Sequence, residues 1–170
     1  AEKLDEVRPK TKVACFKADL TIENDVIALF NGVKDFCSGI DILVNNAGIS
    51  MSGMSWKMEL IDWMTTLNTN LTSAFLCTKS ALPYMRENNW GRIINVSSVV
   101  AQTGFIGTSA YAASKFAQVG FFESLRLEEE KNNIDISMVF PGFVNTDISK
   151  NALSGTGDQY GLHDGNQQNG

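Results

Sequence analysis

The sequence has little basic charge, little proline and no long hydrophobic run. It carries 14 Lys and Arg against 19 Asp and Glu, a formal net charge of -5. An acidic chain lacks the positive surface that binds nucleic acid or anionic membranes, so we expect neither as a partner. No run of 18 or more apolar residues occurs, which argues against a membrane-spanning helix within the sequence. No basic, apolar leader of the secretory type is visible at its start, so we expect no secretory signal within it.

Cysteine and histidine are also scarce. The three cysteines, Cys15, Cys37 and Cys77, are widely spaced and odd in number, which fits neither a disulfide framework nor a metal-ligand spacing. The single His163 lies in a polar segment without Cys or His neighbours. We therefore expect no metal site, and a cytoplasmic or cytosol-like reducing compartment.

What the chain does contain is an alternation of short apolar segments and longer segments with helical spacing. Its 170 residues, 44% of them hydrophobic, are enough for one domain with a sizeable core. The predicted strands are 12–20, 41–44, 92–96 and 134–140; the predicted helices are 24–36, 61–86, with a bend or an end expected at Pro83, and 109–131. This order predicts an α/β fold, a doubly wound parallel sheet with helices on both faces.

Polar and small residues follow the predicted strands directly. Asp19 ends the first, Asn-Asn-Ala-Gly at 45–48 follows the second, Ser97 and Ser98 follow the third, and Pro-Gly at 141–142 closes the fourth. Each of these alone is also typical of an ordinary turn, helix cap or strand end. Because ligands of such sheets bind beyond the carboxyl ends of the strands, their common placement predicts one site.

Tyr111 and Lys115 lie four residues apart in the predicted helix 109–131. Residues at i and i+4 share one helix face, although the same spacing also occurs on ordinary surface helices. A phenol has an unperturbed pKa of about 10, and a nearby ammonium favours its ionised form. The pair therefore predicts proton transfer to or from a carbonyl or alcohol oxygen.

With these motifs in this order, the chain resembles the short-chain dehydrogenase/reductase family, in its short-subunit branch. The similarity runs from about residue 12 to 147, and Ser98 stands thirteen residues before Tyr111, the interval that the family uses. A more local similarity, in NALSGTGDQYG, is to the group of family member 7. The matching motifs are Asp19, Asn45-Asn46-Ala47-Gly48, Asn70 in LNTNL, Ser98 in NVSS, Tyr111-x-x-x-Lys115 and Pro141-Gly142-x-x-x-Thr146.

The resemblance implies a Rossmann-like fold and an NAD(P)-dependent oxidoreductase acting on a carbonyl or secondary alcohol. Its implied catalytic residues are Tyr111 as general acid or base, Lys115 as the group that lowers the pKa of Tyr111, Ser98 as the group that holds the substrate oxygen, and Asn70. In this family Asn70 would position a water that links Lys115 to solvent. Lys115 would also hydrogen-bond the nicotinamide ribose.

The resemblance also implies the residues that bind the cofactor. Asp19 would accept a hydrogen bond from adenine, and Asn46, Ala47 and Gly48 would line the adenosine side. Val144 and Thr146 would bind the nicotinamide carboxamide, with Tyr111 and Lys115 next to the same ring. The cofactor is NADP or NAD, with NADP slightly favoured by the resemblance.

The chain departs from the family pattern at both ends. It lacks the first βαβ unit, whose Gly-rich turn receives the pyrophosphate, and the last strand. Residues 1–8 resemble the helix that follows the second strand. We therefore expect residues 1–170 to be a truncated, partial NAD(P)-binding domain, with 149–170 as a substrate-side loop or mobile tail. We also expect the isolated chain to be unstable and to bind dinucleotide poorly.

Substrate and partners are less closely defined by the sequence. Met51, Met54, Trp56 and Met58 indicate an apolar wall and a lipophilic carbonyl compound, and the resemblance favours a homodimer or tetramer of the full-length protein. An absent N-terminal segment could anchor it to a membrane, as in the group of family member 7. A truncated, non-catalytic interaction protein is the alternative function, and a sugar-nucleotide epimerase is a more distant one.

Overall fold

Strands and helices alternate in the predicted order in the computed structural model, which describes residues 12–142 and the strand Leu153–Ser154. A π turn, Asn68–Thr72, joins the second and third helices. Three 3-10 turns occupy Ser55–Lys57, Val99–Ala101 and Glu130–Asn132. The strands are β1 (Ile42–Asn45), β2 (Met51–Ser52), β3 (Gly91–Val96), β4 (Ile134–Val139) and β5 (Leu153–Ser154), and the helices are α1 (Glu23–Cys37), α2 (Leu60–Leu67), α3 (Ser73–Glu87) and α4 (Ser109–Glu129).

The main sheet is parallel and has the order β1-β3-β4. Its register places Leu43, Ile93 and Ile136 side by side, so these three side chains point to the same face. That face is covered by α1, α3 and α4, whose apolar residues form one core with the strands. Phe122 of α4 is fully buried in it, and burial of a side chain of this size stabilises the fold by about 1.5–3 kcal/mol.

The described residues leave the opposite face of the sheet uncovered. Ile42 and Val44, which alternate with Leu43, are 57% and 54% exposed, and Val139 of β4 is exposed as well. No helix among the described residues packs on this face, so one of the two helical layers of the expected doubly wound fold is seen.

One predicted strand is wrong. Residues 12–19 have no strand pairing, although residues 12–20 have the composition of a strand. A strand is held by hydrogen bonds to a neighbour, and none of the described strands pairs with this segment. Its apolar side chains Val13 and Phe16 remain exposed.

The helical segment 60–87 continues through two features that interrupt helices. The π turn at Asn68–Thr72 inserts a wider turn between α2 and α3, and α3 continues past Pro83 to Glu87, so Pro83 does not end it. At the end of α3, Arg86 Nε donates to the fully buried carboxylate of Glu129 on α4 at 2.9 Å. Asn132 Nδ2 donates to the same carboxylate at 2.7 Å.

The short strands β2 and β5 pair in parallel, with Met51 opposite Leu153. β5 therefore lies inside the segment 149–170 that the sequence predicted as a loop or tail. Val144, Thr146, His163 and the predicted helix at 1–8 lie outside the described residues. None of the described helices combines the length and hydropathy needed to cross a bilayer.

Candidate functional site

Three chain segments meet beyond the carboxyl ends of the sheet. The turn 46–48 follows β1, Ser97 and Ser98 follow β3, and Pro-Gly at 141–142 follows β4. Backbone hydrogen bonds hold the last two together: Ser97 N donates to Val139 O at 2.8 Å and Val99 N to Pro141 O at 3.1 Å. Parallel neighbours end at the same edge of a sheet, which is why these segments lie together.

Ser98 and Tyr111 approach each other across this edge. Ser98 is extended and its Oγ accepts a hydrogen bond from Val100 N at 3.2 Å, which caps the short turn Val99–Ala101. Its hydroxyl proton is therefore free to be donated to the phenol of Tyr111, in the first turn of α4. Burial raises the pKa of Tyr111, and the hydrogen bond with Ser98 partly opposes that rise.

The direction of this pKa shift is a correction. The sequence argument predicted that Lys115 lowers the pKa of Tyr111, whereas the pKa is raised because desolvation of the phenolate prevails. Lys115 Nζ lies 5.7 Å from the centroid of the Tyr111 ring and donates instead to Val96 O at 3.0 Å. The two side chains share a helix face, as predicted, without direct pairing of their polar ends.

Lys115 is itself unusual because it is a buried lysine, 4% exposed. Burial lowers its pKa to about 8, since the ammonium loses hydration and gains one carbonyl partner. An amine with this pKa can exchange a proton near neutral pH.

Asn70 lies in the π turn and is completely buried. Its Oδ1 accepts a hydrogen bond from Ile49 N at 2.8 Å, while its Nδ2 donates to Ile49 O and to Ser114 Oγ, both at 2.9 Å. Gly48 is pressed against this group: a Cβ there would lie 3.2 Å from Asn70 Oδ1 and 3.7 Å from Lys115 Nζ. Asn70 and Lys115 therefore flank the same point of the 46–48 turn, which only a glycine permits without displacement.

Further polar residues that sequence reasoning missed support the site from below. Asn45 Nδ2 donates to Asn95 Oδ1 at 2.7 Å and to Thr78 Oγ1 at 3.1 Å, and so connects β1, β3 and α3. The available signal was a polar Asn95 directly after the apolar pair Ile93 and Ile94 and before Val96. Ser114 and Gln118 were missed too; they are polar residues on the buried face of α4, four residues apart.

A cleft of about 590 Å³ lies on the other side of the 46–48 turn. Asp19 and Ala47, both predicted for the adenosine side, line it together with Thr69 and Ser73. Asp19 Oδ1 accepts hydrogen bonds from Thr21 Oγ1 at 2.7 Å and Thr21 N at 2.9 Å, and these bonds lower the pKa of Asp19. The carboxylate is thus fixed at the mouth of the cleft, with Asn46 and Gly48 in the adjoining turn.

The predicted apolar wall is only partly present on the surface. Met51 is buried, whereas Met54 and Trp56 are exposed, Trp56 by 79%. Their loop is tied to the start of α4, because Gly53 N donates to Gly107 O at 2.8 Å and Ser55 Oγ to Ser109 Oγ at 2.9 Å. The exposed loop is therefore hydrogen-bonded to the first residue of α4, the helix that carries Tyr111, and to the segment just before it.

Known proteins are similar to this chain in sequence and in fold. A family model described as short chain dehydrogenase matches residues 1–156. The 3-oxoacyl-(acyl-carrier-protein) reductase FabG of Aquifex aeolicus is 40% identical over 77% of this chain and 53% of that protein. A dehydrogenase/reductase SDR family protein 7-like of Anopheles gambiae is 38% identical over 86% of this chain and 46% of that protein.

A solved structure, titled ElxO with NADP bound, has a TM-score of 0.76 and 32% identity, and the match covers 79% of this chain and 54% of that one. The chain spans about half the length of the curated relatives it matches. Because the family model matches most of the sequence and the structural match covers 79% of the chain, the chain belongs to the short-chain dehydrogenase family.

Proposed function

We propose that this chain is the catalytic portion of a nicotinamide-dependent oxidoreductase that reduces a carbonyl or oxidises a secondary alcohol. The observation that carries the proposal is the grouping of the Ser98 hydroxyl, the Tyr111 phenol and the buried Lys115 amine at one edge of the sheet. The printed names of the similar proteins, a reductase and a structure with NADP bound, support it.

In this proposal Ser98 and Tyr111 act on the substrate oxygen. The phenol of Tyr111 is protonated at neutral pH and can donate its proton to a developing alkoxide, which is a stronger base than a phenolate, although its raised pKa makes it a weaker acid than a free phenol. Ser98 donates a second hydrogen bond to the same oxygen and so fixes the carbonyl for attack. In the oxidative direction the same phenol oxygen would accept the proton.

Lys115 and Asn70 restore the proton of Tyr111. With its pKa lowered to about 8, Lys115 can pass a proton toward the phenolate and regain one from solvent. Asn70 would order the water on that path, because it flanks Gly48 together with Lys115. The binding of Lys115 to the nicotinamide ribose is part of the same proposal.

The described residues fit a dinucleotide on this edge. A backbone without a Cβ at Gly48 allows close approach, and the cleft lined by Asp19 and Ala47 has room for an adenine ring. We propose Asp19, Asn46, Ala47, Gly48, Val144 and Thr146 as cofactor-binding residues, and NADP or NAD as the cofactor. The bound nicotinamide supplies the hydride, and the protein contributes orientation and electrostatics.

The substrate and the assembly are proposed from exposed apolar side chains. Met54, Trp56 and Ile106 are exposed on loops tied to the start of α4, which supports a lipophilic carbonyl compound. Phe75 of α3 and Phe116 of α4 are also exposed, which supports a homodimer or tetramer formed through these helices.

The experiment that tests this function uses protein from the full coding sequence and follows NADPH and NADH oxidation with a panel of lipophilic ketones. Tyr111→Phe removes the proposed acid without changing shape, so kcat should fall about 10²–10⁴-fold while the KM for the dinucleotide changes little. The matched control Tyr84→Phe, on α3, should keep full activity. If no ketone causes oxidation of NADPH or NADH, or if Tyr111→Phe and Tyr84→Phe react at equal rates, the interaction-protein alternative is favoured.

A further inference from the structure

Gln118 is a buried polar residue that the proposed chemistry does not use. It is 1% exposed and lies on α4, one turn beyond Ser114 and two turns beyond Tyr111. Its Nε2 donates a hydrogen bond of 2.6 Å to the backbone carbonyl of Asn70. The bond therefore joins the helix of Tyr111 and Lys115 to the π turn that carries Asn70.

Stability alone gives no reason for glutamine at this position. Its Oε1 has no hydrogen-bond partner in the part of the chain that the structure describes, and a buried unpaired acceptor costs about 1–3 kcal/mol. An apolar side chain of the same length would avoid that cost. What glutamine adds is the donor that reaches the π turn.

The π turn is the element that most needs such a donor. A turn of this kind is wider than an α-helical turn and occurs mostly at functional sites. Asn70 is fixed at three places: its side chain contacts Ile49 and Ser114, and its carbonyl contacts Gln118. Ser114 Oγ donates in turn to Tyr111 O at 2.7 Å, so hydrogen bonds connect the backbone of α4 to the π turn at two places.

We propose that Gln118 is a positioning residue for proton transfer at this site. It holds the carbonyl of Asn70 against α4, so that the Asn70 side chain keeps its hydrogen bonds to Ile49 and its place beside Lys115. The catalytic consequence rests on the proposed function, because Lys115 and Asn70 act there in restoring the proton of Tyr111. The structural consequence, a π turn fixed by Gln118, is independent of that function.

The test compares Gln118→Met with Thr66→Val in protein from the full coding sequence. Methionine keeps length and packing but removes the donor. Thr66 is a matched control because it is also buried and its Oγ1 donates to a backbone carbonyl, Asp62 O, at 2.9 Å. Amide hydrogen exchange at Ile49 and at residues 68–74 reports the position of the π turn without any need for activity.

We expect Gln118→Met to speed exchange at these amides at least tenfold and to lower kcat about 10–100-fold with the KM for dinucleotide within threefold. Thr66→Val should change each quantity less than threefold. Unchanged exchange in Gln118→Met, or equal effects of the two variants, would overturn the inference. A protein without reductase activity would instead contradict the proposed function, and the exchange data would still decide the role of Gln118.

A second variant covers the case in which Gln118→Met does not fold. Gln118→Glu can donate to Asn70 O only while its carboxyl is protonated, and burial favours that form. The kcat of Gln118→Glu, relative to the unchanged protein at the same pH, should therefore rise as pH falls. A ratio that stays constant between pH 5 and 10, a range wide enough to ionise a buried carboxyl, would contradict the positioning role.

Discussion

At the scale of single residues, burial decides the electrostatics of this site. The pKa of Tyr111 is raised and that of Lys115 is lowered for one reason, the loss of hydration of the charged form. Both groups are therefore kept neutral more easily than in water. These shifts favour the transfer of a proton from the Lys115 ammonium to a Tyr111 phenolate and oppose the reverse transfer.

The buried Lys115 predicts a pH dependence of stability. Its pKa is about 8 in the folded chain and about 10.5 as a free side chain. Between these values the unfolded state binds more protons, so the free energy of unfolding should rise with pH, by up to about 1.4 kcal/mol per unit. Urea denaturation from pH 8 to 10.5 measures this rise, and Lys115→Met should abolish it.

The control is Lys34→Met, which removes an exposed lysine of α1 and should leave the pH dependence as it is. A rise that persists in Lys115→Met would assign the effect to another group. The experiment needs no cofactor or substrate, so its result is independent of the enzymatic proposal.

The sequence alone predicted some features of this candidate site and missed others. The four-residue spacing of Tyr111 and Lys115 predicted a shared helix face, and the residues after the strands predicted where the site lies. The direction of the Tyr111 shift could not be predicted, because it depends on desolvation by elements distant in sequence. Gln118 carried too weak a signal: a single polar residue on an amphipathic helix indicates nothing until its partner, the carbonyl of Asn70, is known.

At the scale of elements, the fit between α3 and β3 depends on a glycine. A Cβ at Gly91 would lie 2.5 Å from Met85 Sδ and 2.7 Å from Met85 Cβ. Met85 is fully buried at the end of α3, so its side chain cannot turn away into solvent. The first residue of β3 must therefore be glycine for α3 to pack at this distance.

Gly91→Ala should lower the free energy of unfolding by about 1–3 kcal/mol, the usual cost of overpacking a core. Gly39→Ala is the matched control, since nothing lies within 4 Å of a Cβ at Gly39. The double variant Gly91→Ala with Met85→Gly should be less destabilised than the sum of its single variants, because no side-chain atom at position 85 then meets the new Cβ. Additive losses would mean that the two residues do not press on each other.

The helices were the elements that the sequence predicted best, because their signal is local. Apolar residues every three or four positions gave α1 and α4 to within two residues. The strand predicted at 12–20 failed, because a strand depends on a neighbour that another part of a chain must supply. Pro83 did not end α3, since the missing backbone donor of a proline affects one bond, which the packing of α3 in the core outweighs.

At the scale of the whole molecule, the sheet separates a buried side from an exposed apolar side. Leu43 packs against the core formed by α1, α3 and α4, whereas Ile42 and Val44 point the other way. Apolar residues grouped on an open sheet face are an association surface. The chain spans about half the length of the curated relatives it matches.

Because one face of the sheet is covered and the other is open, the substitution Val44→Lys should have opposite effects in the 170-residue chain and in protein from the full coding sequence. In the 170-residue chain, Val44→Lys should raise the soluble fraction and reduce the binding of a hydrophobic dye, because it interrupts an exposed apolar face. In protein from the full coding sequence the same lysine would be buried without a partner, and the melting temperature should fall by several degrees. Leu43→Lys, one residue earlier on the covered face, should destabilise both lengths. If Val44→Lys leaves the melting temperature of the longer protein unchanged, that face stays open there too, and the family's second helical layer does not cover it.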